Sequence, residues 1–238
     1  MTTQTIYRLN KRDSERVLAW ARYVFWANVE REQYDAYEPP EDEPPTGRRF
    51  ALMAQWYAAL WVAIEGWRES SLSDPIVDEL LTELDFKPNL QRLRRFRNGV
   101  YHYQETLLDD RLLGFLREGT NTAPWAFLVH SEFKRVLWEL AHPQTIPLGL
   151  QGELADGIRQ IVGWLPGDIP EASAHDAALR YREVAAMILK DDRRDTPEGK
   201  ELMAAVAQLR LAANEAQTEW SRCKRAMIDC LKGRGRNE

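Results

Sequence analysis

Cysteine is scarce in this chain. Only Cys223 and Cys230 occur, both in a helix-patterned stretch, which excludes the disulfide framework of small secreted domains. Seven positions apart on a helix, they stand roughly 10 Å apart along its axis, too far to bridge each other. A reducing, cytoplasmic compartment is expected. Long apolar runs are missing as well: no stretch of about 18 uncharged apolar residues occurs, and the N-terminus lacks a basic start followed by an apolar run. The expected protein is therefore soluble and has no membrane partner. No HExxH, CxxC, phosphate-loop or Gly-x-Ser-x-Gly pattern is present, so zinc, nucleotide and serine-hydrolase chemistry have no support, and neither a cofactor nor a metal is expected.

Basic charge is also not in excess. A net charge of -5 and a pI near 5.6 exclude a protein that coats nucleic acid indiscriminately, because such binding is driven by phosphate neutralisation. Any nucleic-acid contact must come from local patches. Two exist: Arg92, Arg94, Arg95 and Arg97 lie within six positions, and Arg222, Lys224, Arg225, Lys232, Arg234 and Arg236 crowd the C-terminus. Acid gathers in a proline-rich stretch between Glu38 and Pro45, where four prolines forbid regular helix.

What is abundant is helical periodicity. With 238 residues the chain can bury a real core. Val17, Leu18, Ala21, Val24, Phe25 and Val29 recur at spacings of three and four, with Asp13 or Ser14 placed as N-cap. Phe50, Met53, Tyr57, Leu60, Ile64 and Trp67 form the apolar face of a second helix, widened by Trp56 and Trp61. Asp74-Pro75 signals the start of a third, short helix, cap then N1 proline. After Lys87-Pro88 a long helix is expected to run through Arg97 to His102 and on to Leu116, with a break near Asp109-Asp110. A fifth begins around Thr122 to Pro124 and stops before Pro143.

Five helices without a credible strand suffice for a bundle. From Thr145 onward, prolines and glycines punctuate two shorter helical stretches, and Thr196-Pro197 opens a last long helix. Along it Val206, Leu209, Ala213, Ala216, Trp220, Cys223, Met227 and Cys230 alternate at three and four, a heptad seam. That seam serves either packing along the bundle or self-association. The expected architecture is all-α: residues 1–145 as a helical bundle, and residues 146–238 as a C-terminal helical extension, either packed on the same core or separate from it.

The chemically pointed segment is Arg97-Asn98-Gly99-Val100-Tyr101-His102. Asn98 and His102 are four apart, so a continuous helix puts both on one side, with Arg94 a turn earlier. Arg97 is five before His102, about 140° away around an ideal helix, and Gly99 is the expected place for a compensating distortion. An imidazole with an unperturbed pKa near 6.5 can take or give a proton at neutral pH. A guanidinium fits a doubly charged phosphorane with paired hydrogen bonds, and Asn98 can hold the imidazole or a phosphate oxygen. This set suits RNA cleavage by 2′-hydroxyl attack, where the nucleophile belongs to the substrate and no metal is required.

On these residues the chain resembles the HEPN superfamily, whose nucleases are helical bundles bearing an Arg, a polar residue and then a His after four to six intervening positions. Arg97, Asn98 and His102 match with four between Arg97 and His102. The likeness is sharp over the six-residue motif and extends by architecture over residues 1–145. It implies an endoribonuclease of toxin or defence type, acting as a homodimer in which two copies of the motif form one composite site. His102 is then the acid/base, Arg97 the phosphate stabiliser and Asn98 the orienter. Arg94, Arg95, Tyr101 and Tyr103 are the expected RNA contacts, and an antitoxin protein is an implied partner. Many toxin-like members carry, two residues after the His, a tyrosine that an antitoxin modifies; here that position is Gln104, with Tyr103 beside it.

The competing readings are plainer. His102 could be a satisfied core histidine with Arg97 paired to Glu105, Asp109 or Asp110. The bundle could be a non-catalytic HEPN-like module that binds RNA or protein, or a structural protein dimerising through its last helix. His130, His142 and His175 have no partners at ligand spacing and read as surface or packing residues, and most of the nine tryptophans read as core.

Overall fold

Asp74 opens a helix in the way its neighbours require. Its extended backbone lets Oδ1 accept from the amides of Ile76 at 3.0 Å and Val77 at 3.1 Å, satisfying donors that the first turn cannot pair internally, and Pro75 occupies a position that needs no N–H. Thr196 does the same further on, its hydroxyl accepting from Gly199 N at 3.0 Å ahead of Pro197.

The computed structural model describes residues 11–39, 47–106, 109–116, 121–141, 150–163, 185, 195–207 and 216–234. Over these the protein is all-α, with no strand among the described residues. The elements are α1 (Lys11–Ala36), α2 (Gly47–Glu69), α3 (Pro75–Thr82), a 3-10 turn (Leu84–Phe86), α4 (Lys87–Tyr101), α5 (Asp110–Leu116), α6 (Thr122–Ala141), α7 (Leu150–Val162), α8 (Pro197–Ala207) and α9 (Ala216–Arg234). Most of the proline-rich acidic stretch, residues 164–184 and 186–194 of the punctuated region, the seam residues Leu209 and Ala213, and His142 and His175 lie outside the described residues. Among the described residues no helix is long and apolar enough to cross a membrane.

Aromatic side chains bind the centre together. Trp20 of α1 meets Trp67 of α2 with ring centroids 5.4 Å apart and Phe133 of α6 edge-on at 5.5 Å, an arrangement the ring quadrupoles favour. Five of the described tryptophans, Trp20, Trp56, Trp61, Trp67 and Trp125, are buried, while Trp26 stands half exposed on α1. The Trp125 indole donates to the Leu80 carbonyl at 2.9 Å, tying α6 to α3. His130 is a packing residue: the buried Trp56 indole donates to its Nδ1 at 3.0 Å.

Residues from α7, α8 and α9 enter the same cluster of buried side chains, among them Leu154, Ile158, Leu202 and Met227. On the described part of the seam, Cys223, Met227 and Cys230 are buried within the chain itself, so packing along the bundle takes up that part. The C-terminal basic patch is likewise partly consumed. Lys224 is buried 3.1 Å from a Glu132 oxygen, and Arg225 and Lys232 both reach Glu79, at 2.8 and 2.7 Å.

Two expected helix limits move. The first helix already includes Lys11, so Asp13 and Ser14 lie inside its first turn instead of capping it; an acid there still suits the positive end of the helix dipole. The break expected near Asp109-Asp110 begins earlier, α4 ending at Tyr101 ahead of His102 and α5 starting at Asp110.

Candidate functional site

Leu90, Leu93, Phe96 and Gly99 recur every third residue and form the buried face of α4. Phe96 anchors it, packing 4.6 Å from Phe115 of α5 and perpendicular to Tyr57 of α2 at 6.1 Å. With that face buried, Arg94 and Arg95 stand exposed on the outside, and Arg97 and Asn98 sit half-buried at the margin. The basic cluster thus lies on the surface of α4, leading to the motif.

The expected distortion at Gly99 is absent, since α4 runs through it as regular helix. What the glycine provides is closeness. A β-carbon there would lie 2.9 Å from Leu112 Cδ2 and 3.2 Å from Arg111 Cβ, so any side chain would press against α5. Asp109 turns the chain into α5: its side chain accepts from Arg111 N at 2.8 Å, and its carbonyl from Leu112 and Leu113 at 3.0 Å. Asp109 also pairs with Arg111 at 3.2 Å.

Because α4 stops at Tyr101, His102 is its C-cap, with extended backbone at φ -119° and ψ 138°. Asn98 and His102 therefore do not share a helical face as side chains. They are joined through the backbone, the His102 amide donating to the Asn98 carbonyl at 3.1 Å. The His102 side chain is exposed, which removes the satisfied-core-histidine reading, and no side-chain hydrogen bond to its imidazole occurs among the described residues.

Arg97 turns to its neighbours in the motif. Its Nη1 donates to Asn98 Oδ1 at 3.1 Å, and its guanidinium lies 5.7 Å from the centroid of the Tyr101 ring, within cation–π range. Its Nε is buried without a hydrogen-bond partner among the described residues. The Tyr101 hydroxyl donates to Gln55 Oε1 of α2 at 3.2 Å, steadying the ring. Tyr101 and Tyr103 are both exposed, Tyr103 by 90 %.

Past the helix end, the Gln104 carboxamide folds back on α4. Its Nε2 donates to the Gly99 carbonyl at 3.4 Å and to the His102 carbonyl. The periodicity of α4 does not announce this residue; a polar side chain just after a helix end is the only signal. No group of three His, Cys, Asp or Glu is arranged to hold a metal ion among the described residues.

Comparison with protein-family models, with curated proteins and with solved structures found no match.

Proposed function

We propose that the protein is a metal-independent endoribonuclease of the HEPN kind, toxin- or defence-like, acting as a homodimer with a composite site. The observation that carries this reading is the end of α4. A solvent-exposed His102 follows, within five residues, an Arg97 whose guanidinium is oriented by Asn98 and Tyr101 and retains a buried donor without a partner among the described residues. Arg94, Arg95, Tyr101 and Tyr103 form an exposed basic and aromatic surface around it, which suits the phosphates and bases of RNA.

In the proposed step, an imidazole takes the proton of a ribose 2′-hydroxyl as the 2′-oxygen bonds to the adjacent phosphorus. The bond from phosphorus to the 5′-oxygen breaks, and that oxygen receives a proton from the second copy's imidazolium, which is left neutral as the first becomes charged. Arg97 meets the charge that builds on the phosphorane oxygens. The products are a 2′,3′-cyclic phosphate and a 5′-hydroxyl. Asn98, bonded to Arg97, orients the guanidinium.

The second reading is a non-catalytic HEPN-like module binding RNA or a protein, and the bonding of Arg97 within its own motif favours it. Incubating wild type and His102→Ala with total RNA and with tRNA in EDTA separates the two. Cleavage by wild type alone with cyclic phosphate ends is expected; binding without cleavage by either would establish the module, and a requirement for a divalent cation would overturn the mechanism. An antitoxin partner belongs to the same proposal and is tested by co-purification with the chain's genomic neighbour.

A further inference from the structure

Both backbone ends of His102 are held. Its amide donates to the Asn98 carbonyl at 3.1 Å, inside the regular part of α4, which fixes φ. Its carbonyl accepts from Gln104 Nε2, which fixes ψ at the extended value of 138°. The same Nε2 reaches the Gly99 carbonyl at 3.4 Å, so one amide group joins the last turn of the helix to the residue that leaves it. The carboxamide orientation follows from its neighbours: two carbonyl oxygens require a donor, and turning the group over would set Oε1 against both of them. In the orientation observed, Oε1 is a buried acceptor with no partner among the described residues. Leaving a buried acceptor unsatisfied has a cost, and the two contacts to backbone carbonyls are what offsets it. Nothing else among the described residues hydrogen-bonds the His102 carbonyl or its ring.

We infer that Gln104 is a positioning residue for His102: its carboxamide clamps the His102 carbonyl to the end of α4 and thereby sets the direction in which the imidazole leaves the bundle. This rests on the reading of His102 as the acid/base. With φ and ψ fixed, only the two side-chain torsions of His102 remain to be selected by substrate, which lowers the ordering that a reactive geometry demands. Gln104 touches no reacting atom and acts through the backbone alone.

The test uses full-length Gln104→Glu, which keeps the shape of the side chain but replaces the donor with an acceptor, and Gln104→Ala as a second variant. The chain is labelled with 13Cα-histidine, the His102 signal is assigned by its loss in His102→Ala, and backbone order is read by relaxation. In wild type the His102 Cα should relax as an ordered group; in both variants it should relax as a mobile one, with the melting temperature held within a few degrees. Steady-state RNA cleavage should show kcat falling tenfold or more with KM nearly unchanged. An unchanged His102 Cα relaxation in Gln104→Glu would overturn the assignment, as would a loss confined to KM. If wild type cleaves no RNA, the acid/base reading fails by itself, while backbone relaxation at His102 still decides whether Gln104 holds it.

Discussion

Lys224 of α9 and Glu132 of α6 form an ion pair at 3.1 Å in which Glu132 has no solvent exposure. Arg135 joins it from the other side, its Nε 2.6 Å from Glu132 and its Nη2 2.6 Å from Asp74, the cap of α3. Burial opposes the charge on Arg135, but the carboxylates of Glu132, Glu139 and Asp74 outweigh it and keep the guanidinium protonated. Three helices are thereby linked through one cluster of charges, α9 and α6 at Glu132 and α3 through Arg135.

Removing one member of such a set leaves charge without full compensation, which costs more than the pair contributes. Lys224→Met should lower stability by about 3 kcal/mol. Urea denaturation checks this, and the double variant Lys224→Met with Glu132→Gln should recover part of the loss.

Glu79 fixes α9 a second time. Burial alone would raise its carboxyl, yet hydrogen bonds from Lys232 and Arg225 hold it below the usual value of 4.5. A depressed carboxylate contributes stability that is full above the unfolded value and fades as pH falls through the lower folded one. The docking of α9 should therefore loosen below about pH 4.5, and amide exchange across 223–231 should accelerate there before exchange in α2. In Glu79→Gln the same acceleration should already be present at pH 7, with a stability loss of about 1 kcal/mol.

The two cysteines give the opposite edge. Burial pushes the Cys223 thiol from 9.0 up to about 12 and the Cys230 thiol up to about 11. For a raised thiol the associated stability is complete below about pH 9, where both states are protonated, and is lost as pH rises through 11 to 12. Thermal melts should fall across that window and less so in Cys223→Ala. At pH 7.5 neither thiol should react with a maleimide until the chain is unfolded.

At Gly99 the close contact with α5 predicts a steric response. Gly99→Val should cost on the order of 2 kcal/mol and displace α5, seen as faster exchange of the Leu112 and Leu113 amides, whereas Gly114→Ala, with open space around it, should be neutral or mildly stabilising.

How much of this was readable beforehand depended on how local each cause is. The starts of α3 and α8 were legible because Asp74-Pro75 and Thr196-Pro197 act within three residues. The buried faces of α1 and α2 were legible from spacing, although Trp20, at the centre of the core, was not singled out. The end of α4 was illegible, because no proline or capping glycine marks it and its causes are the Gln104 fold-back and the approach of α5. Lys224 reads as one of the C-terminal basic patch and Glu132 as an ordinary helix-face charge; their pairing spans 92 residues, beyond any local pattern. At the candidate site the motif could be found but not its wiring, so Asn98 turned out to hold Arg97, and Gln104 to hold the His102 backbone.

The anchoring of α9 also sets an order of events during synthesis. Glu132 emerges from the ribosome long before Lys224, and Glu79 earlier still, while the Asn121 side chain waits for the Leu231 carbonyl, which it meets at 2.8 Å. Until then a nascent chain carries carboxylates that its finished form pairs, and apolar surface that Cys223, Met227 and Leu231 will cover. A chaperone able to shelter that surface has a defined interval in which to act, and a transcript cut short upstream of codon 224 would yield a product that cellular proteases can recognise as incomplete.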